Sequence, residues 1–112
     1  MQIEIKETKI KSKNAYEANL TALFAAVRSD LSLPNLKIVI VKLGADTIYA
    51  YKNTVRTAQQ NVADAQANTY IYESPYAISS DGEHYNPIVA SYGGVQARQL
   101  IGEALADIIK DF

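Results

Sequence analysis

Lys37-Ile38-Val39-Ile40-Val41-Lys42-Leu43 is a short run dominated by β-branched residues and ended by Gly44, and its reading decides the fold. A continuous apolar run, rather than an alternating one, predicts a strand covered on both faces, the habit of a central strand in a parallel sheet. Upstream, Asn14 precedes Ala15 and Tyr16, with Glu17 three residues on, which approximates a capping box and predicts a helix start. The apolar positions that follow, Tyr16, Leu20, Leu23, Phe24, Val27 and Leu31, place one stripe toward a core, and Pro34 closes the segment. Downstream, a second helix is expected from about Lys52 to Gln66. Val55, Ala58, Val62 and Ala65 lie on one side of it, Arg56, Gln59 and Gln60 lie near the other, and Asn68 helps to end it. Thr69-Tyr70-Ile71-Tyr72 reads as another strand, stopped by Ser74-Pro75. A polar loop from Ser79 to Pro87 leads through Gly93-Gly94 into a last helix, with Ile101, Ala104, Leu105, Ile108, Ile109 and Phe112 on one face.

Helix, strand, helix, strand, helix in this order predicts an α/β domain in which crossover helices pack on a parallel sheet, a three-layer α/β/α arrangement. The opening stretch from Gln2 to Ile10 spaces Ile3 and Ile5 by two, which predicts an edge strand within residues 1–13. Two parallel strands make a small sheet whose edges must be paired or shielded. Either the N-terminal segment and a further strand complete it, or another polypeptide covers the edge.

The 112 residues suit a single domain, 1–112, and 48% hydrophobic with 21% charged residues is the composition of a chain that folds. A net charge of −1 with mixed signs leaves no broad basic face, so nucleic acid is not expected as a partner. Lys6, Lys9, Lys11 and Lys13 are interrupted by Glu4 and Glu7 and read as a solvated face. The absence of cysteine excludes disulfides, thiol nucleophiles and thiolate metal sites. The opening residues lack the apolar stretch of a signal peptide, and no segment approaches the roughly 20 apolar residues that span a bilayer. The expectation is therefore a soluble chain without a membrane partner, with its compartment undetermined.

The single histidine, His84, lies in Asp81-Gly82-Glu83-His84, in the loop after the second strand. Ligand loops of open α/β sheets sit at the carboxyl ends of strands, where this one belongs. A neutral imidazole can take a proton from a serine hydroxyl if a carboxylate holds its other nitrogen, and Asp81 is placed to do so across the turn at Gly82. The alternative is a turn in which Asp81 caps backbone amides and His84 is simply exposed. Ser79 and Ser80 read as turn caps, and Ser91 reads as a cap of the last helix, where Gly93-Gly94 offers backbone amides to an anion. Tyr85 and Tyr92 flank His84, although packing is the commoner use of the chain's eight tyrosines.

Ser80-Asp81-Gly82-Glu83-His84-Tyr85-Asn86, with Gly93-Gly94 and Leu100-Ile101-Gly102-Glu103-Ala104-Leu105-Ala106, resembles the last conserved block of SGNH (GDSL-like) hydrolases. Earlier blocks are similar to the sialate O-acetylesterase and acetylxylan esterase branch of that class. These are Tyr16-Glu17-Ala18-Asn19-Leu20, Val27-Arg28-Ser29-Asp30-Leu31, Pro34-Asn35-Leu36 with the strand, Val55-Arg56, Ala58-Gln59 and Val62-Ala63. The resemblance runs from about Tyr16 to the C-terminus. It implies a flavodoxin-like sheet, the C-terminal half of an SGNH domain, and deacetylation of acetylated carbohydrates without metal or organic cofactor. In that reading His84 is the base and Asp81 its orienting carboxylate, through acyl transfer to a serine.

The chain departs from the pattern at the nucleophile. Family members carry the serine in an N-terminal Gly-Asp-Ser or Gly-Gln-Ser block and oxyanion donors in later glycine and asparagine blocks, and none of these is found in this sequence. An acid and base alone give little catalysis. The expectations are an acid-base half complemented by an N-terminal esterase half, or a non-catalytic esterase-like interaction or assembly module. A phosphate-binding α/β protein ranks behind both, because no glycine-rich phosphate loop follows either strand.

Overall fold

A computed structural model describes residues 2–76, 84 and 96–112, with side chains from Ala15 onward. Its elements are helix α1 (Gln2–Asp30), strand β1 (Ile38–Val41), helix α2 (Lys52–Ala65), strand β2 (Thr69–Tyr72) and helix α3 (Ala97–Ile109).

Helix α1 corrects two expectations. Residues 2–14 are helical rather than an edge strand, and Asn14 lies inside the helix rather than at its start. The physical reason is cooperativity. No Gly or Pro occurs before Pro34, so a helix nucleated in the alanine- and leucine-rich part extends backward through Lys, Glu and Gln at little cost. A helix also satisfies its own backbone groups, whereas a strand at that position needs a neighbour.

The other end of α1 stops sharply. Leu33 N–H donates to the Arg28 carbonyl at 2.9 Å, and Ser32 N–H donates to the Ser29 carbonyl at 3.0 Å, with Ser32 in the left-handed region at φ 53°. This is the paired closure of a Schellman turn, and Pro34 just beyond it prevents continuation. Tyr16, Leu20, Phe24 and Val27 are half-buried, but Leu23 and Leu31 of the expected stripe are 54% and 58% exposed. The stripe is wider than α2, its main helical neighbour, covers.

Strands β1 and β2 pair in parallel, Ile38 opposite Thr69 through Val41 opposite Tyr72. Because side chains alternate, Ile38, Ile40, Thr69 and Ile71 share one face, and Val39, Val41, Tyr70 and Tyr72 share the other. The first face meets α1 and α2, with Ile40 and Thr69 buried. On the second face, Tyr70 stacks on Phe112, just beyond α3, with ring centroids 4.9 Å apart. The result is the expected three-layer α/β/α arrangement. Among the described residues the sheet has two strands, so β1 has one strand neighbour rather than the two of a central strand, and Val41 is partly exposed.

The buried apolar core consists, among the described residues, of Ile40, Ala58, Val62, Ala97, Leu100 and Ile101. On α3, Ala104, Leu105 and Ile108 are half-buried, whereas Ile109 of the expected face is exposed. The radius of gyration is 16.3 Å, larger than the roughly 13 Å of a compact domain near this length. No described helix is long and apolar enough to cross a membrane.

Candidate active site

Arg28 sets the amino-terminal side of the sheet. Its Nε donates to the Leu36 carbonyl at 2.9 Å, and its terminal nitrogen donates to the Asn68 carbonyl at 2.9 Å and to Thr69 Oγ1 at 3.0 Å. One guanidinium on α1 therefore joins the segments that lead into both strands. Asn68 is itself left-handed, φ 57°, a conformation its short polar side chain tolerates, and its carbonyl also accepts the Ile38 N–H at 2.9 Å.

Opposite, at the carboxyl ends of the strands, α2 presents Arg56, Gln59 and Gln60, spaced by three and four residues and hence on one face. Gln59 Oε1 accepts the Leu43 N–H at 2.8 Å, and its Nε2 donates to the Tyr16 hydroxyl at 3.2 Å. Arg56 donates to the Leu43 carbonyl and to the Glu73 carboxylate. Lys42 Nζ lies 3.3 Å from Gln60 Oε1 and 3.8 Å from the same Glu73 carboxylate. Apart from Tyr16 on α1, each partner is the first or second residue past its strand, and at Leu43 both backbone groups, beyond the ladder, are taken up by Gln59 and Arg56.

From the sequence, Arg56, Gln59 and Gln60 are expected near the face opposite Val55, Ala58, Val62 and Ala65. Instead Gln59 is buried and Arg56 half-buried, because this face turns toward the strand exits. Their common helical face is readable in their spacing, but their partners are not.

Glu73 is held below the ordinary carboxylate pKa, first by the hydrogen bond from Arg56, against the opposing effect of burial, and then by the charges of Arg56 and Lys42. A depressed folded-state pKa stabilises above the ordinary value and ceases to do so as pH falls through the folded value. The urea midpoint difference between the natural chain and Glu73→Gln is therefore expected to be present at pH 6 and to shrink as pH falls below the ordinary carboxylate value. A constant difference across that range would show that charge plays no part in holding Glu73.

His84 is exposed, so its imidazole is not sealed in an apolar interior. Asp81 lies outside the described residues, as do Ser79, Ser80, Tyr85, Ser91, Tyr92 and Gly93-Gly94. Among the described residues no group of three or more His, Cys, Asp or Glu side chains is placed to hold a metal ion.

Comparison with known proteins gives three findings. The family model described as carbohydrate esterase, sialic acid-specific acetylesterase, matches residues 1–107. The match therefore includes the opening segment, which the resemblance read from Tyr16 onward had left out. Among solved structures, a protein from Arabidopsis thaliana determined by X-ray crystallography at 1.6 Å is similar, with 28% identity and a TM-score of 0.60. That likeness covers 67% of this chain and 30% of the Arabidopsis chain, so the chain corresponds to a minor part of that protein's length. No curated protein matches.

Proposed function

We propose a catalytic role from the premise that this chain belongs to the carbohydrate esterase family of sialic acid-specific acetylesterases. In this role the chain supplies the base and the orienting acid of a serine esterase that removes O-acetyl groups from sugars, sialic acids being the class the family's description indicates. The observation that carries the reading is an exposed imidazole, His84, that ends an Asp-x-x-His segment following β2.

The serine hydroxyl attacks the acetyl carbonyl, and His84 takes the hydroxyl proton while Asp81 holds the other ring nitrogen. His84 then gives that proton to the departing sugar oxygen. Water attacks the acetyl-enzyme, again with His84 as base, and releases acetate. The oxyanion donors and the serine come, in this reading, from polypeptide that this chain does not itself provide. One fact supports that: no serine here stands in a Gly-Asp-Ser or Gly-Gln-Ser block.

The test is complementation. The chain alone is expected to be inert toward 4-nitrophenyl acetate and O-acetylated sialic acid. Mixing it with a polypeptide that carries the serine block of a longer family member should produce acetate release. Failure of the mixture to turn over either ester, despite a complex seen by light scattering, would favour the second reading, a non-catalytic interaction or assembly module, which the lack of a serine block motivates.

A further inference from the structure

Strand β1 has one edge paired with β2 and one edge open. Ile38 N–H donates to the Asn68 carbonyl at 2.9 Å and Lys42 N–H to the Tyr72 carbonyl at 2.8 Å, so the even-numbered residues turn their backbone groups toward β2. Val39 and Val41 therefore turn theirs to the opposite edge, where the two-stranded sheet has no strand among the described residues. That edge has a defined end. Leu43, next in the alternation, donates its N–H to Gln59 Oε1 at 2.8 Å, and its carbonyl accepts from Arg56. A strand laid along β1 can thus bond Val39 and Val41 but not Leu43.

Exposed edges are usually blunted by charge, proline or a bulge. Ile38-Val39-Ile40-Val41 contains no charged residue and no proline, and its regular register with β2 leaves no bulge. Val41 is 37% exposed, although its run has the continuous apolar character of a strand covered on both faces. The edge formed by β2 differs, because Thr69, Tyr70 and Tyr72 carry hydroxyls and Ser74-Pro75 follows. Side chains suited to the interior of a sheet therefore stand at its boundary on the β1 side.

We infer that the outer edge of β1 is the docking surface for the polypeptide that carries the serine block, which adds a parallel strand bonded to Val39 and Val41. The inference rests on the reading that the serine comes from polypeptide beyond these 112 residues. Length favours this occupant: the likeness to the Arabidopsis protein takes in 30% of that chain, so most of that protein's length has no counterpart here. The parallel direction follows from β1 and β2, since sheets favour a single pairing type.

Amide exchange followed by NMR reads the edge residue by residue. In the dilute isolated chain the Ile38 and Lys42 amides are expected to exchange slowly and those of Val39 and Val41 quickly. Adding the serine-bearing polypeptide of the complementation experiment should slow Val39 and Val41 by about tenfold or more. Val41→Pro removes one outward donor without touching the bonds to β2, a change that an edge strand tolerates. It should keep the far-ultraviolet circular dichroism and bind that polypeptide about tenfold or more weaker in calorimetry, because a partner carbonyl loses its donor. Val41→Lys keeps the donor but sets a charge beside the incoming strand; it should also weaken binding and serves if the proline variant fails to fold.

Acetate release without slowed exchange at Val39 and Val41 would overturn the docking edge and leave the esterase reading standing. Slowed exchange without acetate release would support the edge and remove the catalytic reading. Slow exchange at both valines already in the isolated chain, whether its own residues or a second copy covers them, would overturn the proposal, as would the absence of any complex.

Discussion

His84→Ala is expected to lower kcat of the complemented esterase by about 10⁴-fold or more, with KM little changed. The imidazole acts only where the proton moves, so its loss removes transition-state stabilisation and not ground-state binding of the sugar. Asp81→Asn should lower kcat by about 10⁴-fold while leaving the ring in place, because an amide no longer selects the tautomer that accepts the serine proton. The two effects should not add, since acid and base act as one unit, and the double variant should be about as slow as His84→Ala alone. Initial rates of acetate release, measured at saturating ester with the nucleophile-bearing partner in excess, check all three variants. Turnover in His84→Ala within tenfold of the natural chain would remove the catalytic reading.

The second large effect is expected on stability. Arg28→Ala should cost about 2–4 kcal/mol, the sum of charged hydrogen bonds lost and acceptors left without a donor. The affected groups are the Leu36 and Asn68 carbonyls and the Thr69 hydroxyl, with Thr69 buried and the contacts spanning up to 41 residues of sequence. Against a total stability of about 5–15 kcal/mol for an ordinary domain, that loss is large. Arg28→Lys should fall between the two, because one ammonium does not reproduce the fork. Urea unfolding followed by circular dichroism measures the change. A midpoint for Arg28→Ala indistinguishable from that of the natural chain would mean that Arg28 does not hold the strand starts together.

Local signals were readable without coordinates. Thr69-Tyr70-Ile71-Tyr72 forms the strand its composition indicates, and the second helix begins at Lys52 and ends within a residue of the expected place. These succeed because strand propensity, turn residues and helix periodicity act over a few neighbours. The start of α1 was misread for the complementary reason. Two isoleucines two apart resemble a strand locally, yet a long run without Gly or Pro lets a helix formed further along extend through them. Leu23, Leu31 and Ile109 were assigned to apolar faces correctly as chemistry but wrongly as burial, since burial depends on what lies opposite.

The sequence by itself determined the order of elements, the parallel pairing that this order favours, and the resemblance to acetylesterases that the family match bears out. Only the tertiary structure decided what Arg28, Arg56 and Gln59 do. Each looks like an ordinary polar residue on a helix, and each acquires its role from backbone groups 8 to 40 residues away that hydrogen-bond geometry accepts only at about 3 Å. Propensity and periodicity are sums over near neighbours, whereas a hydrogen bond between distant segments exists only once the chain has folded them together.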